Sequence, residues 1–189
     1  MIGFRAGVLV TPAVRAFAAE RPDVAIEVRS IDWDDQEEQI LSGRIDIAYV
    51  RRPIDERGLR LVPLFSEPRL AALPVGHRLA GRDELTVDEI ADEQYLRLLE
   101  PAPVPDADGS RHRLRSVEEK LEYVASGHGV IVLPLSATRY YRRADIVYRP
   151  LVDAEPDVVY LACEATRRSR LIAAFIRTAQ SLEPVPVER

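Results

Sequence analysis

The sequence is poor in cysteine, in lysine and in long apolar runs. Cys163 is the single cysteine among 189 residues, so no internal disulfide can form, which is typical of a protein of the reducing cytoplasm. Lys120 is the single lysine beside many arginines, which indicates a GC-rich genome such as that of an actinobacterium. No run approaches the roughly 18 apolar residues of a membrane span, and "MIGFRAGVLV" lacks the pattern of a signal peptide. We therefore expect a cytoplasmic protein with no membrane partner.

Positive charge and catalytic motifs are scarce as well. The formal net charge of -5 argues against this chain gripping a nucleic-acid backbone, which requires a concentrated positive face. Walker, nucleophile-elbow and zinc-protease motifs are missing, and the three histidines lack metal-type spacing. Cys163 lies within the apolar run "VVYLACEA" and is interpreted as a small core residue. The sequence therefore predicts no enzyme, no cofactor and no metal site.

What the sequence does contain is an alternation of strand and helix patterns. Period-two or continuous apolar runs predict the strands "VAIEVRSI", "IDIAYV", "LRLVPLF", "RLAALPV", "YLRLL", "VIVLP", "IVYRPL" and "VVYLACEA". "VIVLP" is typical of a buried parallel strand. The alternation predicts an α/β protein with mostly parallel sheets covered on both faces, which bind ligands outside the carboxyl ends of their strands.

Capping signals mark the predicted helices. Thr11 is predicted as an N-cap with Pro12 at the first helical position. Capping boxes begin helices at Thr86–Glu89 and at Ser116–Glu119, and glycines end helices at Gly43 and Gly127. The proline-rich segment 100–109 predicts a loop. The last helix is predicted to bury one apolar face, formed by Leu171, Ile172, Phe175, Ile176 and Ala179.

One long run resembles a known family. "SGRIDIAYVRRPIDERGLRLVPLFSEPRLAALPVGHRLAG" is similar to the effector-binding domain of LysR-type transcriptional regulators. The matching positions are Gly43, Asp46, Pro53, Pro63, Leu64, Glu67, Pro74, His77, Leu79 and Ala80. "LVTPAVRAFAAERPDVAIEV" and "VEEKLEYVASGHGVIVLP" resemble further segments of the same domain, so the resemblance covers nearly the whole chain.

The resemblance implies a two-lobed fold like that of type 2 periplasmic binding proteins. Each lobe would be a mostly parallel sheet flanked by helices, and two crossover strands would join the lobes. Lobe I would hold 1–68 and 149–189, and lobe II would hold 69–148. The family's N-terminal winged helix-turn-helix is missing from this chain, and we interpret the chain as a fragment. It would form a homodimer, or a tetramer in the whole protein, which would reach DNA only through that missing domain.

Strand ends and helix starts at the cleft between the lobes supply the candidate ligand contacts. We predict that a small organic acid or similar metabolite binds there, because helix N-termini and arginine suit a carboxylate or phosphate. The candidate residues are Arg5, Gly7, Val8, Trp33, Arg51, Leu99, Glu100, Ser116, Val117 and His128.

Several of these residues have a plain structural interpretation too. Trp33 could pack over a helix start or at a dimer contact, Ser116 could serve only as a cap, and His128 could be a solvated turn residue. Arg5 could pair with Asp32 or Asp34 instead of a ligand.

The side chains of the two arginines after "IDIAYV" are expected to lie on opposite faces of the strand. Alternation sends Arg51 and Arg52 to opposite sides; we choose Arg51 for the cleft and expect Arg52 to meet solvent or an acidic neighbour. A hydrogen-bonded structural role is expected for Asp46.

Two other functions remain open on the same fold. A solute-binding protein of a transport system would share the architecture and would carry an export signal upstream. A small enzyme of the dehydratase type would need an acid–base pair in the cleft, for which Glu100 and His128 are the candidates, neither with a visible partner.

Overall fold

The computed structural model describes residues 1–5, 7–31, 35–91, 93, 102–105, 111–114 and 116–182. The chain divides into two compact units, 1–66 with 158–189 and 67–157. The predicted lobe boundaries at 68/69 and 148/149 stay a prediction; the observed divisions fall at 66/67 and 157/158. Within the described residues, no helix combines the length and the apolar character that crossing a membrane requires.

The elements follow one another in this order: β1 (Ile2–Phe4), α1 (Thr11–Glu20), β2 (Val28–Ser30), α2 (Gln36–Leu41), β3 (Ile47–Arg51), β4 (Leu59–Glu67), β5 (Arg69–Pro74), α3 (Val87–Ile90), β6 (Ala102–Pro105), β7 (Arg111–Leu114), α4 (Val117–Ala125), β8 (Ile131–Pro134), α5 (Leu135–Tyr140), β9 (Ile146–Pro150), β10 (Asp157–Glu164) and α6 (Arg170–Ser181).

The first unit is built on a five-stranded sheet in the order β2-β1-β3-β10-β4. β1 pairs in parallel with both β2 and β3, and β10 is antiparallel to β3. One face of the sheet carries Ile47 and Tyr49 and packs with Phe17 of α1 and Phe175 of α6. The other face carries Ala48 and packs against Ile40 of α2. The sheet is therefore covered on both faces, as predicted.

The second unit contains a three-stranded sheet in the order β8-β5-β9. Among the described strands both pairings are antiparallel, so β8, the predicted parallel strand "VIVLP", runs antiparallel to β5, and these three strands do not form the mostly parallel sheet that was predicted; the predicted strand "YLRLL" lies outside the described residues. The chain enters the unit through β5 and leaves it through β9. Because β5 begins at the end of the unit where β9 finishes, these two neighbouring strands run in opposite directions. Ile131 and Leu133 of β8 face one core cluster while Val130 and Val132 face another. The continuous apolar pattern of β8 thus indicates that both of its faces are buried, and it does not indicate the direction of the strand.

Most predicted helix signals are confirmed. Both capping boxes form, with the Glu89 amide donating to the Thr86 hydroxyl at 3.3 Å and the Glu119 amide donating to Ser116 Oγ at 3.1 Å. Gly43 and Gly127 follow α2 and α4 with φ of 76° and 78°. Cys163 is a fully buried core residue.

Three local predictions were wrong. α1 starts at Thr11 itself, with Val10 as the N-cap and no side-chain cap, because Pro12 is equally suited to the second helical position. Leu171 is 47% exposed, one step beyond the buried stripe of α6. β6 lies inside the segment 100–109 that was predicted to be a loop, and it pairs with β7.

Candidate functional site

The first sheet has one topological switch point, between β1 and β3. The chain leaves β1 through α1 to reach β2 on one side, and it then passes through α2 to reach β3 on the other side. Ligands of open α/β sheets bind outside the carboxyl ends of the strands at such a point. In this unit the residues that follow those ends are Arg5 after β1 and Arg51 at the end of β3.

Arg51 is buried, with only 4% of its surface exposed. It stands opposite Val159 of β10, and alternation along β3 places its side chain on the face of Ile47 and Tyr49. Burying a guanidinium is costly unless it is paired or hydrogen-bonded, and Arg51 does have an interaction within the chain, so the fold itself holds this cation at the edge.

Arg52 behaves as predicted for the outward member of the pair. Its Nε donates to Glu56 Oε1 at 2.9 Å, and its Nη2 lies 2.7 Å from the same oxygen. The guanidinium also lies over the ring of Tyr160, 5.3 Å from the ring centre. The expectation of an acidic neighbour for Arg52 is confirmed.

Arg5 is buried as well and follows β1 directly. Alternation places it on the face of Gly3, where an added Cβ would lie 3.0 Å from Ile45 and 3.1 Å from Ala48. This is the α2 face of the sheet, so Arg5 and Arg51 flank the switch point from opposite faces.

The turn after β1 contains Gly7 and Val8. Gly7 adopts a φ of 82°, which glycine reaches without strain, and the Val8 amide donates to the Arg5 carbonyl at 3.1 Å. Val8 is buried in the cluster that includes Phe17 and Phe175. Both residues shape the edge, and the side chain of Val8 is part of the core.

Asp46 has the structural role that the sequence predicted. It precedes β3, its amide donates to the Met1 carbonyl at 3.0 Å, and its carboxylate forms an ion pair with Arg167. The Met1 amino group, 2.5 Å from Asp46 Oδ2, is a second partner, and both partners lie away from the carboxyl end of β3.

In the second unit, Ser116 and Val117 begin α4. Ser116 is the N-cap, and Val117 is buried against Leu121. Sequence reasoning overlooked Lys120, the single lysine of the chain, which is 2% exposed on the same helix. Its spacing from Val117, Leu121 and Val124 could have revealed its place on the buried face.

His128 lies at the opposite end of α4 from Ser116. The helix has nine residues, a length of roughly 13 Å at 1.5 Å per residue, so one small organic acid cannot contact both side chains. His128 is exposed and instead lines a pocket of about 380 Å³ at the end of β5, together with Pro74, Gly76, His77, Glu93, Gly127 and Gly129.

Glu93 organises the polar side of that pocket. His77 Nε2 lies 3.3 Å from Glu93 Oε2, and Arg78 Nη2 lies 2.7 Å from Glu93 Oε1. Although partial burial acts to raise it, the hydrogen bonds from His77 and Arg78 lower the pKa of Glu93. The carboxylate is therefore already neutralised by its own neighbours.

Three predicted site residues, Trp33, Leu99 and Glu100, lie outside the described residues, as do Asp32 and Asp34. In the part of the chain that the structure describes, no cluster of three or more histidine, cysteine, aspartate or glutamate side chains could hold a metal ion. The first unit thus brings Arg5, Gly7, Val8 and Arg51 to one edge, and the second unit separates Ser116 from His128.

Comparison with known proteins gives a family match. A family model described as "LysR substrate binding domain" matches residues 5–183. Among curated proteins, the chain is 28% identical over 179 residues to the HTH-type transcriptional regulator AlsR of Bacillus subtilis, covering 87% of this chain and 59% of AlsR. It is 27% identical to the Hca operon transcriptional activator HcaR of Escherichia coli, covering 81% of this chain and 56% of HcaR. The chain therefore spans little more than half the length of these relatives.

Solved structures agree on the fold. The effector-binding domain of BenM with its effector benzoate superposes with a TM-score of 0.73 at 22% identity, covering 100% of this chain and 96% of that one. The OxyR regulatory domain from Pseudomonas aeruginosa gives a TM-score of 0.71 at 21% identity, covering 95% and 94%. The named relatives are transcriptional regulators, none is a transport protein by name, and these matches do not support the predicted actinobacterial origin.

Proposed function

This chain belongs to the LysR substrate-binding domain family, and from that premise we propose that it senses a small anionic metabolite for a transcriptional regulator. The chain binds the effector, and a DNA-binding domain outside the chain contacts the operator. The observation that carries the anionic character is the buried guanidinium of Arg51 at the carboxyl end of β3.

The chemistry of Arg51 supports this assignment. A guanidinium presents five N–H donors in a planar fork, so it can keep a protein partner and still bind a carboxylate. Hydrogen bonds to charged groups contribute about 1.5–3 kcal/mol, more than those between neutral groups. Benzoate, the effector named for BenM, is also a carboxylate, which is consistent with an acidic ligand in this fold.

The regulatory step we propose is a shift between arrangements of the whole protein. A ligand changes such an equilibrium only by binding one arrangement more tightly than the other. We propose that the effector does so in a homodimer, or a tetramer of the whole protein, and that this alters how the attached DNA-binding domains engage DNA. Contacts of the effector with Ser116 and Val117, or alternatively with His128 at the other end of α4, and an effector cleft between lobes, stay predictions.

Replacement of Arg51 tests the proposal. In a thermal-shift screen of anionic and neutral metabolites, we expect organic acids to raise the melting temperature of the wild-type chain. Because Arg51→Ala removes a charge-assisted contact, the Kd of the best acid should rise roughly ten- to a hundredfold by calorimetry.

The neighbouring Arg52→Ala variant is the control for a lost surface cation, since Arg52 pairs with Glu56 outside the edge. It should bind the acid as the wild type does. Stabilisation by neutral compounds alone, unchanged in Arg51→Ala, would contradict an anionic effector.

A further inference from the structure

Three acceptor oxygens near the start of α2 are buried without a hydrogen-bond donor. They are Asp35 Oδ1, Gln36 Oε1 and Gln39 Oε1. Gln36 is only 2% exposed. Buried polar atoms in proteins nearly always have a partner, and an exception requires an explanation such as a ligand or an ordered water.

The orientation of the two amides is set by their nitrogens. Gln39 Nε2 donates to Asp35 Oδ2 at 2.9 Å, and Gln36 Nε2 donates to Glu37 Oε1 at 3.4 Å. A reversed amide would set an oxygen against a carboxylate, so the free atoms are oxygens. The three vacant positions therefore all accept hydrogen bonds, and none can donate one.

The three side chains are neighbours on one side of the helix. Asp35 and Gln39 are four residues apart and joined by a hydrogen bond, and Gln36 precedes Gln39 by three residues. Side chains at these spacings lie next to one another. Gln36 lies four residues before Ile40, which is fully buried, so the Gln36 amide lies on the side of α2 that meets the sheet, whereas Asp35 and Gln39 are half-buried beside it.

The acceptor group lies at the same edge of the sheet as Arg51. Glu37, within the same helical turn, accepts a hydrogen bond from the Asp55 amide at 3.0 Å. Asp55 belongs to the segment that leaves β3 directly after Arg51, Arg52 and Pro53. The edge thus has the Arg51 cation at the end of β3, on the face of α1 and α6, and the Asp35 carboxylate and two amide oxygens at the start of α2, on the other face.

We propose that the effector carries an amino group beside its acidic group, and that Asp35, Gln36 and Gln39 receive the amino group while Arg51 receives the acid. An ammonium supplies three donors, matching three acceptors, and its charge complements that of Asp35. The ligand class is the amino acids. This inference rests on the proposed function, since it assigns a second half to the same ligand.

The test compares each common amino acid with the acid that lacks only its amino group, using thermal shift and calorimetry on this chain. We expect at least one amino acid to bind about tenfold or more tightly than its deaminated counterpart, as loss of one charge-assisted hydrogen bond predicts. That preference should disappear in Gln39→Leu and in Asp35→Asn. It should persist in Glu38→Gln, because Glu38 is exposed on the same helix and pairs with Arg44.

The outcomes separate this inference from the proposed function. If amino acids and deaminated acids bind equally well and both lose affinity in Arg51→Ala, the anionic effector stands, the amino-group inference is overturned, and the oxygens are met by water. If simple primary amines stabilise the chain in a Gln39-dependent way while no acid depends on Arg51, the amino site stands and the anion proposal fails. If no amine-bearing compound stabilises the chain, the inference is wrong. Should Gln39→Leu fail to fold, Asp35→Asn decides.

Discussion

At the scale of single residues, neighbouring charges in this chain have separate environments. Arg51 is buried at the end of β3, whereas Arg52, the next residue, pairs with Glu56 on the surface. Since strand side chains alternate between faces, one step along the chain changes a candidate ligand contact into a surface ion pair. The functional meaning of an arginine here depends on its position in the strand and not on its charge.

The pair Asp55–Arg57 gives a pH prediction at this scale. Hydrogen bonds from the side chain and backbone of Arg57 lower the pKa of Asp55 to about 2. Because the folded-state pKa lies below that of the unfolded chain, the stabilisation is fully present above the unfolded value and is lost as pH falls through the folded value. In Arg57→Gln, the Asp55 midpoint followed by carboxyl NMR should rise towards the ordinary aspartate value.

Arg52→Gln is the matched control, because Arg52 pairs with Glu56 and not with Asp55. It should leave the Asp55 midpoint in place. An unchanged midpoint in Arg57→Gln would show that the ion pair does not persist in solution.

At the scale of elements, caps and glycines set where the helices begin and end. At the start of α4, the Ser116 hydroxyl accepts a hydrogen bond from the Glu119 amide, and the Glu119 carboxylate accepts one from the Ser116 amide. Gly127 follows the end of the helix with a φ of 78°. These boundaries fix the length of α4, and that length keeps Ser116 and His128 apart. A local feature thereby decides which residues can share a ligand.

Gly127 offers a clean test of backbone strain at this scale. An added Cβ at Gly127 meets nothing within 4 Å, so Gly127→Ala changes only the conformational preference. Because an L-residue in the left-handed region costs roughly 1–2 kcal/mol, the free energy of unfolding in urea should fall by about that amount. Gly127→Asn should cost less, since asparagine tolerates this region.

Gly76→Ala is the control for adding a methyl group. Gly76 also has open space around its Cβ position, but its φ is not positive. The free energy of unfolding of Gly76→Ala should stay within about 0.5 kcal/mol of the wild-type value. Equal losses at the two glycines would contradict the strain argument.

At the scale of the whole molecule, the two units differ in how the chain builds them. The second unit is one continuous segment, 67–157, with its own core around Leu121 and Leu133. Its two ends lie near each other, since Arg69 Nη2 is 3.7 Å from Asp157 Oδ1. The first unit needs both 1–66 and 158–189, because β10 lies between β3 and β4 in its sheet.

This difference predicts how fragments behave. Residues 67–157 expressed alone should unfold cooperatively when heated, as followed by circular dichroism, because domains of this size with their own core fold independently. Leu121→Ala in that fragment should lower its stability by about 2–5 kcal/mol. Residues 1–66 alone should show no cooperative transition. If the fragment 67–157 shows no cooperative transition, its core depends on the other unit.

The sequence by itself determined the local structure and the family. Period-two runs, capping boxes and glycines depend on residues that are near in the chain, so they correctly placed β3, the start of α4 and the ends of α2 and α4. Burial of β8 was predictable from its composition for the same reason. The resemblance in the run from Gly43 to Ala80 was sufficient to identify the LysR substrate-binding domain.

Only the tertiary structure decided strand direction, the buried state of Arg5 and Arg51, and the unmet acceptors on α2. An apolar run indicates that a strand is covered but not which neighbour it pairs with, so it did not reveal that β8 runs antiparallel to β5. The switch point between β1 and β3 exists only because β2 and β3 lie on opposite sides of β1 in the sheet. Likewise, the vacant oxygens of Asp35, Gln36 and Gln39 follow from which donors the folded chain brings within reach, and that is a property of three-dimensional packing.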